Sequence, residues 1–488
     1  MLGTIGSGVI SILVLRILTS RLGTHGYGQY IILVSLVTGA TLIVDLGLNG
    51  ITYRDLARNP ESSGHIIGTN LGLRCGLCIA AVPLVILLVF ELYPSQRSAL
   101  MVVGIIFSFD IVLTVIQTTA LSYYGSKVRG EVTAAITLAG RVLFLAAVYI
   151  ASIVDKGLGG VVVSFISADA ITATISIILV YRAARLIIRF EPRLWWMTLK
   201  RAAPLGAMQL SNTLYLYVDS IMLSVLSTDR AVAFYGLGFN VITIVGSFSN
   251  MFASSLVPGL AVSDSETVRR IVERALYVIL CVSIPLGIGG LVLSRNIVSL
   301  LGGAKFQGAN VPFMLLSISL IATFPGTVLT YAAVSVDRYR RLVGVTVTVL
   351  LSNVILNAIL IPIASANGAA ISLLVCESVS TFAIYLVFGR YLSHYPSLRR
   401  AWRPVVAGVI MLVAGLAVNR DIHIPNFSEL IAKGVIIILA YCIVLILTRG
   451  VPGELFVLIG RSGQNAPPSR RAADLDPPSY PLDDLGAS

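Results

Sequence analysis

The sequence has little charge. Only 12% of its 488 residues are Asp, Glu, Lys or Arg, whereas about 25% are charged in an ordinary soluble domain. Hydrophobic residues make up 56%, and we therefore predict an all-α polytopic membrane protein. Windows of about 20 apolar residues, the length that crosses a hydrocarbon core of about 30 Å, predict fourteen spans. They lie at about residues 2–19, 27–49, 66–90, 98–121, 130–154, 157–181, 202–226, 231–257, 271–293, 311–335, 342–364, 367–389, 402–418 and 430–448.

The sequence also lacks the motifs of an enzyme or a metal site. Its four histidines lie far apart and its five cysteines all fall in predicted spans, so neither a metal site nor a disulfide framework is expected. No GxSxG or HExxH motif occurs, and the glycines near the N-terminus follow no strand, which argues against nucleotide binding. We therefore predict a protein that is not an enzyme and has no cofactor.

Basic residues are distributed unevenly between the two sides of the predicted membrane. The net charge is +12, and of 35 Lys and Arg residues, 24 lie in or next to the even-numbered connections and the C-terminal tail, against 8 for the odd-numbered connections. By the positive-inside rule, this bias places both termini in the cytoplasm. The basic residues are therefore expected to lie at the membrane surface, and we expect no nucleic-acid partner.

The chain shows signs of an internal repeat. The segment after the first predicted span, beginning at Ser20, and the segment after the seventh, beginning at Ser224, share the pattern S-x-L-small-T and end in tyrosine. A repeat of six spans predicts two lobes related by a pseudo-two-fold axis along the membrane normal. We predict an N-terminal lobe at 1–190, a C-terminal lobe at 191–395, two additional spans at 396–460 and a disordered cytoplasmic tail at 461–488. Pro325 and Gly326, inside the tenth span, are the candidate hinge.

Three arginines lie inside predicted spans of the first lobe: Arg16, Arg74 and Arg141. Arginine at the centre of a span costs about 2.5 to 3.5 kcal/mol even on the lenient insertion scale, so such residues usually face a watery interior. A guanidinium matches phosphate oxygens well, so we predict a cationic cavity suited to a pyrophosphate-linked lipid. The competing explanation is internal pairing with Asp110 and Asp169, which also lie in spans.

The predicted spans of the second lobe contain carboxylates instead. Asp219 lies in the seventh span and Glu377 in the twelfth, and apart from Arg274, near the start of the ninth span, no Lys or Arg lies in the spans of this lobe. Carboxylates within membranes commonly serve proton or cation pathways. Asp219 and Glu377 are therefore candidates for ion coupling, with a hydrogen bond to a neighbouring helix as the structural alternative.

Several short motifs resemble one known family. They are Arg-Leu-Gly-Thr-His-Gly-Tyr-Gly-Gln-Tyr at 21–30, Asp-Leu-Gly-Leu at 45–48, Arg54, the segments 204–219 and 235–258, Asn353, Asn357, Pro362, and Asn-Gly-Ala-Ala at 367–370. In this order the motifs resemble the polysaccharide flippases of the multidrug/oligosaccharidyl-lipid/polysaccharide transporter superfamily, over about residues 1–455.

The resemblance implies export of undecaprenyl-diphosphate-linked oligosaccharide by alternating access across the bacterial cytoplasmic (inner) membrane, for O-antigen, capsule or exopolysaccharide synthesis. Its expected partners are the lipid-linked oligosaccharide, membrane lipids, and a polysaccharide polymerase with its chain-length machinery. The alternatives in the same superfamily are a lipid II flippase and a drug/cation antiporter. A membrane polysaccharide polymerase is less favoured, because the odd-numbered connections are too short to hold its catalytic residues.

Overall fold

The computed structural model describes residues 2–92, 97–127, 130–154, 157–186, 191–261, 263–336, 339–392, 395–421 and 427–451. Within these ranges the chain is almost wholly helical, as predicted. The predicted tail at 461–488 lies outside them, as does residue 190, where the first predicted lobe ends.

The described part of the chain contains sixteen α-helices. They are α1 (Leu2–Asp45), α2 (Leu48–Arg58), α3 (Ser63–Leu92), α4 (Arg97–Ser108), α5 (Asp110–Ser126), α6 (Gly130–Ile153), α7 (Gly157–Ala184), α8 (Pro192–Leu226), α9 (Asp229–Ala261), α10 (Ser265–Val292), α11 (Ser294–Gly302), α12 (Asn310–Ser335), α13 (Tyr339–Ala364), α14 (Ala366–Tyr391), α15 (Trp402–Asp421) and α16 (Phe427–Leu447). Below, α1–α7 are the first half and α8–α14 the second half.

Helix α1 carries two predicted spans. Its 44 residues would extend about 66 Å at 1.5 Å per residue, twice the hydrocarbon thickness. The helix therefore has to reverse direction, and it does so at Gly23, whose φ of 63° and ψ of −168° interrupt the helix. Glycine adopts positive φ at little steric cost. The predicted first and second spans are thus one helical element with a bend.

Other helices also depart from the predicted boundaries. The fourth predicted span is divided at Phe109 into α4 and α5, and α2 and α11 are short helices that the window search did not identify. Helix α8 begins at Pro192, ten residues before its predicted start, and proline suits the first turn of a helix. Helix α10 begins after Asp264, whose side chain accepts a hydrogen bond from the Glu266 amide. Hydrogen bonds, chiefly from Thr267, lower the pKa of the Asp264 carboxyl.

The crossings agree with an all-α polytopic fold. Among the described residues, eleven helical segments are long and apolar enough to cross a membrane, and the first of them covers both arms of α1. Helix α8 carries the seventh predicted span, and α15 contributes a shorter apolar helix at Trp402–Val418. The eleven segments account for twelve of the fourteen predicted spans, and α8 and α15 lie at the positions of the other two.

The two C-terminal helices pack on the outside of the second half. Buried apolar side chains of α10, α15 and α16, including Cys281, Met411 and Tyr441, form a cluster of their own. Lys433 lies inside α16, buried and paired with Glu429 at 2.5 Å.

Candidate functional site

Arg141 lies midway along α6, and its side chain is exposed. It interacts electrostatically with Asp169 of α7, with Tyr30 on the second arm of α1, and with Tyr217 of α8. Tyr217 belongs to the second half and also lies close to Thr38 of α1. Arg141 is therefore an exposed cation, in the middle of a span, at the boundary between the two halves.

Arg16 faces the same boundary from the first arm of α1. A Cβ at Gly6 would lie 3.5 Å from Leu138 of α6, and a Cβ at Gly8 would lie 3.3 Å from Ile244 of α9. At 100° per residue, the direction of Arg16 falls between these two faces. Its side chain is exposed. Arg16 thus points between α6 of the first half and α9 of the second.

Arg74 is in a different environment. It is fully buried, with 0% of its surface exposed. It forms an ion pair with Asp45, at the end of α1, and donates to the Thr119 hydroxyl of α5 at 2.9 Å. Asp45 was not among the carboxylates considered from the sequence, so the expected pairing was incomplete. Contact between Arg74 and a substrate stays a prediction, and in this conformation Arg74 has no open side.

The two predicted pairing carboxylates lie next to each other. Asp110, at the start of α5, is buried, and Asp169 of α7 is close enough to interact with it strongly. Thr114 donates to Asp110 at 3.4 Å. Asp169 in turn lies near Arg141, so the first half contains an arginine with an adjacent carboxyl pair.

A buried hydrogen-bond network surrounds Asp219 in the second half. The Tyr235 hydroxyl donates to one carboxylate oxygen at 2.6 Å, and the Asn357 amide donates to the other at 2.5 Å. Asn357 also donates to Asn353, whose own amide donates to Ser372 at 3.3 Å. Among the described residues, no Lys, Arg or His lies within ion-pair distance of Asp219. Its donors are therefore neutral.

Glu377 lies on α14, close to the same network. Tyr215 donates to its carboxylate at 3.0 Å, and Thr323 of α12 hydrogen-bonds it as well. Tyr215 and Asp219 are four residues apart on α8 and hence share one face of the helix. The two predicted coupling carboxylates thus lie on one side of α8. Among the described residues, no group of three or more His, Cys, Asp or Glu side chains could hold a metal ion.

The segments that follow the first and seventh spans contact each other. His25, beside the bend in α1, pairs with Asp229 at the start of α9 at 3.0 Å. A Cβ on Gly28 would lie only 2.0 Å from the Asp229 backbone oxygen. Asn240 donates to the Tyr27 hydroxyl at 3.1 Å. This first closing contact, between residues 25–28 and 229–240, joins the two halves at the bend end of α1.

A second closing contact joins the halves at the other end of α1. A Cβ on Gly206 of α8 would lie 2.2 Å from the Leu46 backbone oxygen, so any larger residue would push the two segments apart. Arg201 pairs with Asp55 of α2 at 2.7 Å. The boundary between the halves, which Arg16 and Arg141 face, therefore has a contact near each end of the second arm of α1.

The candidate hinge lies inside an uninterrupted helix. Pro325 and Gly326 are buried in α12, which runs from Asn310 to Ser335. The Thr381 hydroxyl of α14 donates to the Ala322 carbonyl at 2.8 Å, in the turn before the proline. Such a bond satisfies a carbonyl near a proline in a membrane helix. Movement at this point stays a prediction.

Sequence reasoning assigned no role to several residues that build these sites. Tyr235, Asn353 and Asn357 belong to the motifs that carry the family resemblance, and the structure brings them together on Asp219. Asp45 is also a motif residue. Tyr30 was quoted as the end of a motif, whereas Tyr217 carried no signal beyond its position in a span.

Comparison with known proteins identifies the family. A family profile described as polysaccharide biosynthesis protein matches residues 1–263, more than half of the chain. The chain belongs to the polysaccharide biosynthesis protein family. The match covers the first half, α8 and α9, and thus includes Arg16, Arg141, Asp45 and Asp219. No curated protein sequence matches the chain.

Solved structures of transporters share the fold of this family member. A structure of the lipid II flippase MurJ in an inward closed conformation has a TM-score of 0.78 at 14% identity, covering 92% of this chain and 98% of that one. An inward-facing multidrug resistance MATE family transporter of the MOP superfamily has a TM-score of 0.63 at 13% identity, with 79% and 94% covered. The chain is thus a multi-pass membrane protein with the fold of MOP-superfamily transporters.

Proposed function

We propose that the chain carries an oligosaccharide linked to undecaprenyl diphosphate across the bacterial cytoplasmic (inner) membrane, for synthesis of a surface polysaccharide such as O-antigen or exopolysaccharide. The position of Arg141 carries this proposal, because it is an exposed cation in mid-span with groups of both halves around it. A guanidinium there is costly without an anionic partner. The planar fork of arginine matches diphosphate oxygens.

Arg16 supplies a second cation to the same substrate. Both side chains are exposed and both face the boundary between the halves. Asp169 lies near Arg141 and interacts with Asp110, but among the described residues no carboxylate lies within 4.0 Å of the Arg141 guanidinium, which is therefore free to bind another anion. In this proposal Arg74 holds α1, α3 and α5 together instead of binding substrate in this conformation.

In this proposal the two closing contacts provide alternating access to the two sides of the membrane. With both termini in the cytoplasm, as the charge distribution predicts, the bend at Gly23 lies at the outer face and the Leu46–Gly206 contact at the cytoplasmic face. Opening the second contact would admit the substrate from the cytoplasm, and opening the first would release it outside. Bending of α12 at Pro325 and Gly326 is the proposed accompanying movement.

Asp219 and Glu377 are the proposed ion-coupling carboxylates. Both accept hydrogen bonds from neutral donors only, within the part of the chain that the structure describes. A carboxylate with neutral donors in a span is able to bind a proton or a small cation.

Two alternatives within the same superfamily remain proposals. A lipid II flippase is supported by the similar fold of the lipid II flippase MurJ and by the fourteen crossings that the sequence predicts. A drug/cation antiporter is supported by Asp219 and Glu377, but exposed arginines at the boundary would repel a cationic drug. A polymerase and a chain-length regulator are the proposed downstream partners of the favoured function.

Replacement of Arg141 tests the favoured function. Arg141→Ala should reduce surface polysaccharide severalfold at unchanged protein abundance, because the diphosphate loses its principal cation, and Arg141→Lys should recover only part of it. Arg182→Ala, at an exposed arginine of α7 away from the boundary, is the matched control. Unchanged polysaccharide in Arg141→Ala would contradict the proposal.

Deletion of the gene identifies the substrate. We expect undecaprenyl-diphosphate-linked repeat units to accumulate on the cytoplasmic face, where a membrane-impermeant glycosidase cannot reach them in intact spheroplasts. Accumulation of lipid II with arrest of cell-wall synthesis would favour the lipid II flippase instead. Loss of drug efflux with normal glycolipids would favour the antiporter.

A further inference from the structure

A large cavity lies where α10, α15 and α16 meet. Its volume is about 930 Å³, and its walls come from residues between 270 and 280 of α10, the segment 397–403, which ends in the first turn of α15, and Arg449 and Val451 after α16. All of these residues follow the part matched by the family profile, which ends at residue 263. The cavity is also separate from the boundary that Arg16 and Arg141 face.

The walls of this cavity are strongly basic. Among the described residues, its lining has one acidic residue, Glu273. Six arginines line it within the same ranges: Arg270, Arg274, Arg399, Arg400, Arg403 and Arg449. Glu273 is already occupied, because it accepts from Arg269 at 2.8 Å and from the Ser397 amide at 2.8 Å.

Most of these arginines have no carboxylate partner. Arg270 pairs with Glu266 at 3.1 Å, but among the described residues no carboxylate lies within 4.0 Å of the other five guanidinium groups. The Nε of Arg403 is buried and has no hydrogen-bond partner within the described ranges. At physiological ionic strength, salt largely screens the interaction between charges that are more than about 8 Å apart. Cations that line the same cavity are close neighbours and therefore repel each other. An anion would relieve this repulsion.

Hydrogen bonds fix the walls in place. The Tyr385 hydroxyl donates to the Pro396 carbonyl at 2.9 Å, and the Ser397 amide is held by Glu273. Arg403 donates to the Arg449 carbonyl at 2.8 Å, and Tyr277 donates to the next carbonyl, Gly450, at 2.5 Å. Three separate segments are thus held in a defined arrangement around the cavity, unlike basic residues scattered on a surface to orient a protein.

The position of the cavity points to a lipid. Its three segments adjoin connections that the charge distribution places in the cytoplasm, and they come together at the ends of α10, α15 and α16, which are apolar enough to span or nearly span a membrane. Trp402 and Leu398 line the cavity and are 54% and 46% exposed. Tryptophan at a span end commonly marks the headgroup level. Phosphate groups of lipids lie at this depth.

We propose that this cavity binds the phosphate-bearing headgroup of an anionic phospholipid of the cytoplasmic leaflet. Arginine forks bind phosphate oxygens through paired, charge-assisted hydrogen bonds, and six arginines in about 930 Å³ suit a headgroup with more than one phosphate. A bound lipid would tie the C-terminal pair of helices, α15 and α16, to α10. The site does not depend on the proposed transport function.

Native mass spectrometry of the full-length protein tests the proposal. The purified protein is offered phosphatidylcholine, phosphatidylglycerol, cardiolipin or undecaprenyl diphosphate, and sodium pyrophosphate serves as a soluble competitor. We expect selective retention of phosphatidylglycerol and cardiolipin, and at least about tenfold weaker binding of both in Arg274→Gln/Arg399→Gln/Arg400→Gln. The control is Arg182→Gln/Arg185→Gln/Arg193→Gln, which removes three exposed arginines outside the cavity and should bind like the wild type.

Several outcomes would overturn the proposal. Equal binding of phosphatidylcholine and phosphatidylglycerol by the wild-type protein would do so without any variant, so the test survives a variant that fails to fold. Equal losses in the two triple variants would assign the effect to general surface charge. Complete displacement by pyrophosphate would assign the cavity to a soluble anion, and preference for undecaprenyl diphosphate would assign it to the substrate lipid.

Discussion

Each half of the molecule buries a carboxylate of a spanning segment, and the two carboxylates are neutralised differently. In the first half, Asp45 is paired with the guanidinium of Arg74, which is itself fully enclosed. In the second half, Asp219 is equally enclosed but accepts from Tyr235 and Asn357, which are neutral. The first half therefore carries its own fixed cation, whereas the second half has a carboxylate whose charge is compensated by dipoles alone.

This difference suggests a structural role for Asp45 and a role in exchanging a proton or cation for Asp219. A guanidinium is charged at every physiological pH, so the Asp45–Arg74 pair is a permanent part of the fold. Asp219 has no such partner among the described residues, and a proton or a small cation is able to complete its neutralisation. We therefore propose ion coupling for the second half, and anion binding for the exposed arginines of the first.

The largest effect is expected from Asp45→Asn. Removing this charge leaves the Arg74 guanidinium buried without a counter-ion, which costs about 3 to 5 kcal/mol. The variant should show a strongly lowered melting temperature in detergent micelles and low abundance in membranes. A melting temperature equal to that of the wild type would mean that Arg74 is not enclosed in the purified protein.

Removing both charges of the Asp45–Arg74 pair should destabilise the protein less than removing one of them. In Asp45→Leu/Arg74→Met, no buried charge is left uncompensated, and apolar replacements of buried ion pairs are often nearly neutral. We expect the free energy of unfolding to fall by at most about 2 kcal/mol, which the melting temperature in detergent micelles measures. Surface polysaccharide should be preserved. If instead the stable double variant loses polysaccharide as Arg141→Ala does, Arg74 binds substrate in another conformation, as the sequence had suggested.

The corresponding Asp-to-Asn substitution in the second half should destabilise the protein less. Asp219→Asn keeps the shape and an acceptor for Tyr235 or Asn357, so one hydrogen bond is lost, at a cost of about 1 to 2 kcal/mol. Transport by this variant, measured in proteoliposomes, should no longer respond to a proton or cation gradient. A cost as large as that of Asp45→Asn would show that Asp219 has a charged partner, and the comparison between the halves would fail.

The sequence was sufficient for the fold but not for the pairing of its charges. Span length and composition predicted the crossings because the bilayer fixes both, whereas a bend such as Gly23 requires the length of α1 as a whole. Asp45 lies inside the second predicted span, 27–49, but was identified from the sequence only as a motif residue, whereas in the structure α1 ends at Asp45. Its contact with Arg74 joins residues 29 positions apart, a relationship that no local pattern contains.

The network around Asp219 shows the same limit of prediction from sequence, in residues that had been identified as motif residues. Tyr235, Asn353 and Asn357 were all identified as motif residues, but their roles depend on how α8, α9 and α13 pack together. The basic cavity was missed for the same reason. Its arginines were counted as an orientation signal, and only the packing of α15 and α16 on α10 brings them together.

The smallest effect on stability is expected from Arg141→Gln, which contrasts an exposed arginine with the enclosed Arg74. Exposed ion pairs contribute at most about 1 kcal/mol, and the Arg141 side chain is exposed, so the melting temperature should change little. Surface polysaccharide should nevertheless fall as in Arg141→Ala, because glutamine offers amide hydrogen bonds but no positive charge to the diphosphate. A variant that is destabilised as strongly as Asp45→Asn would place Arg141 in the fold instead of the substrate site, since its loss would then leave Asp169 and Asp110 as an uncompensated acidic pair.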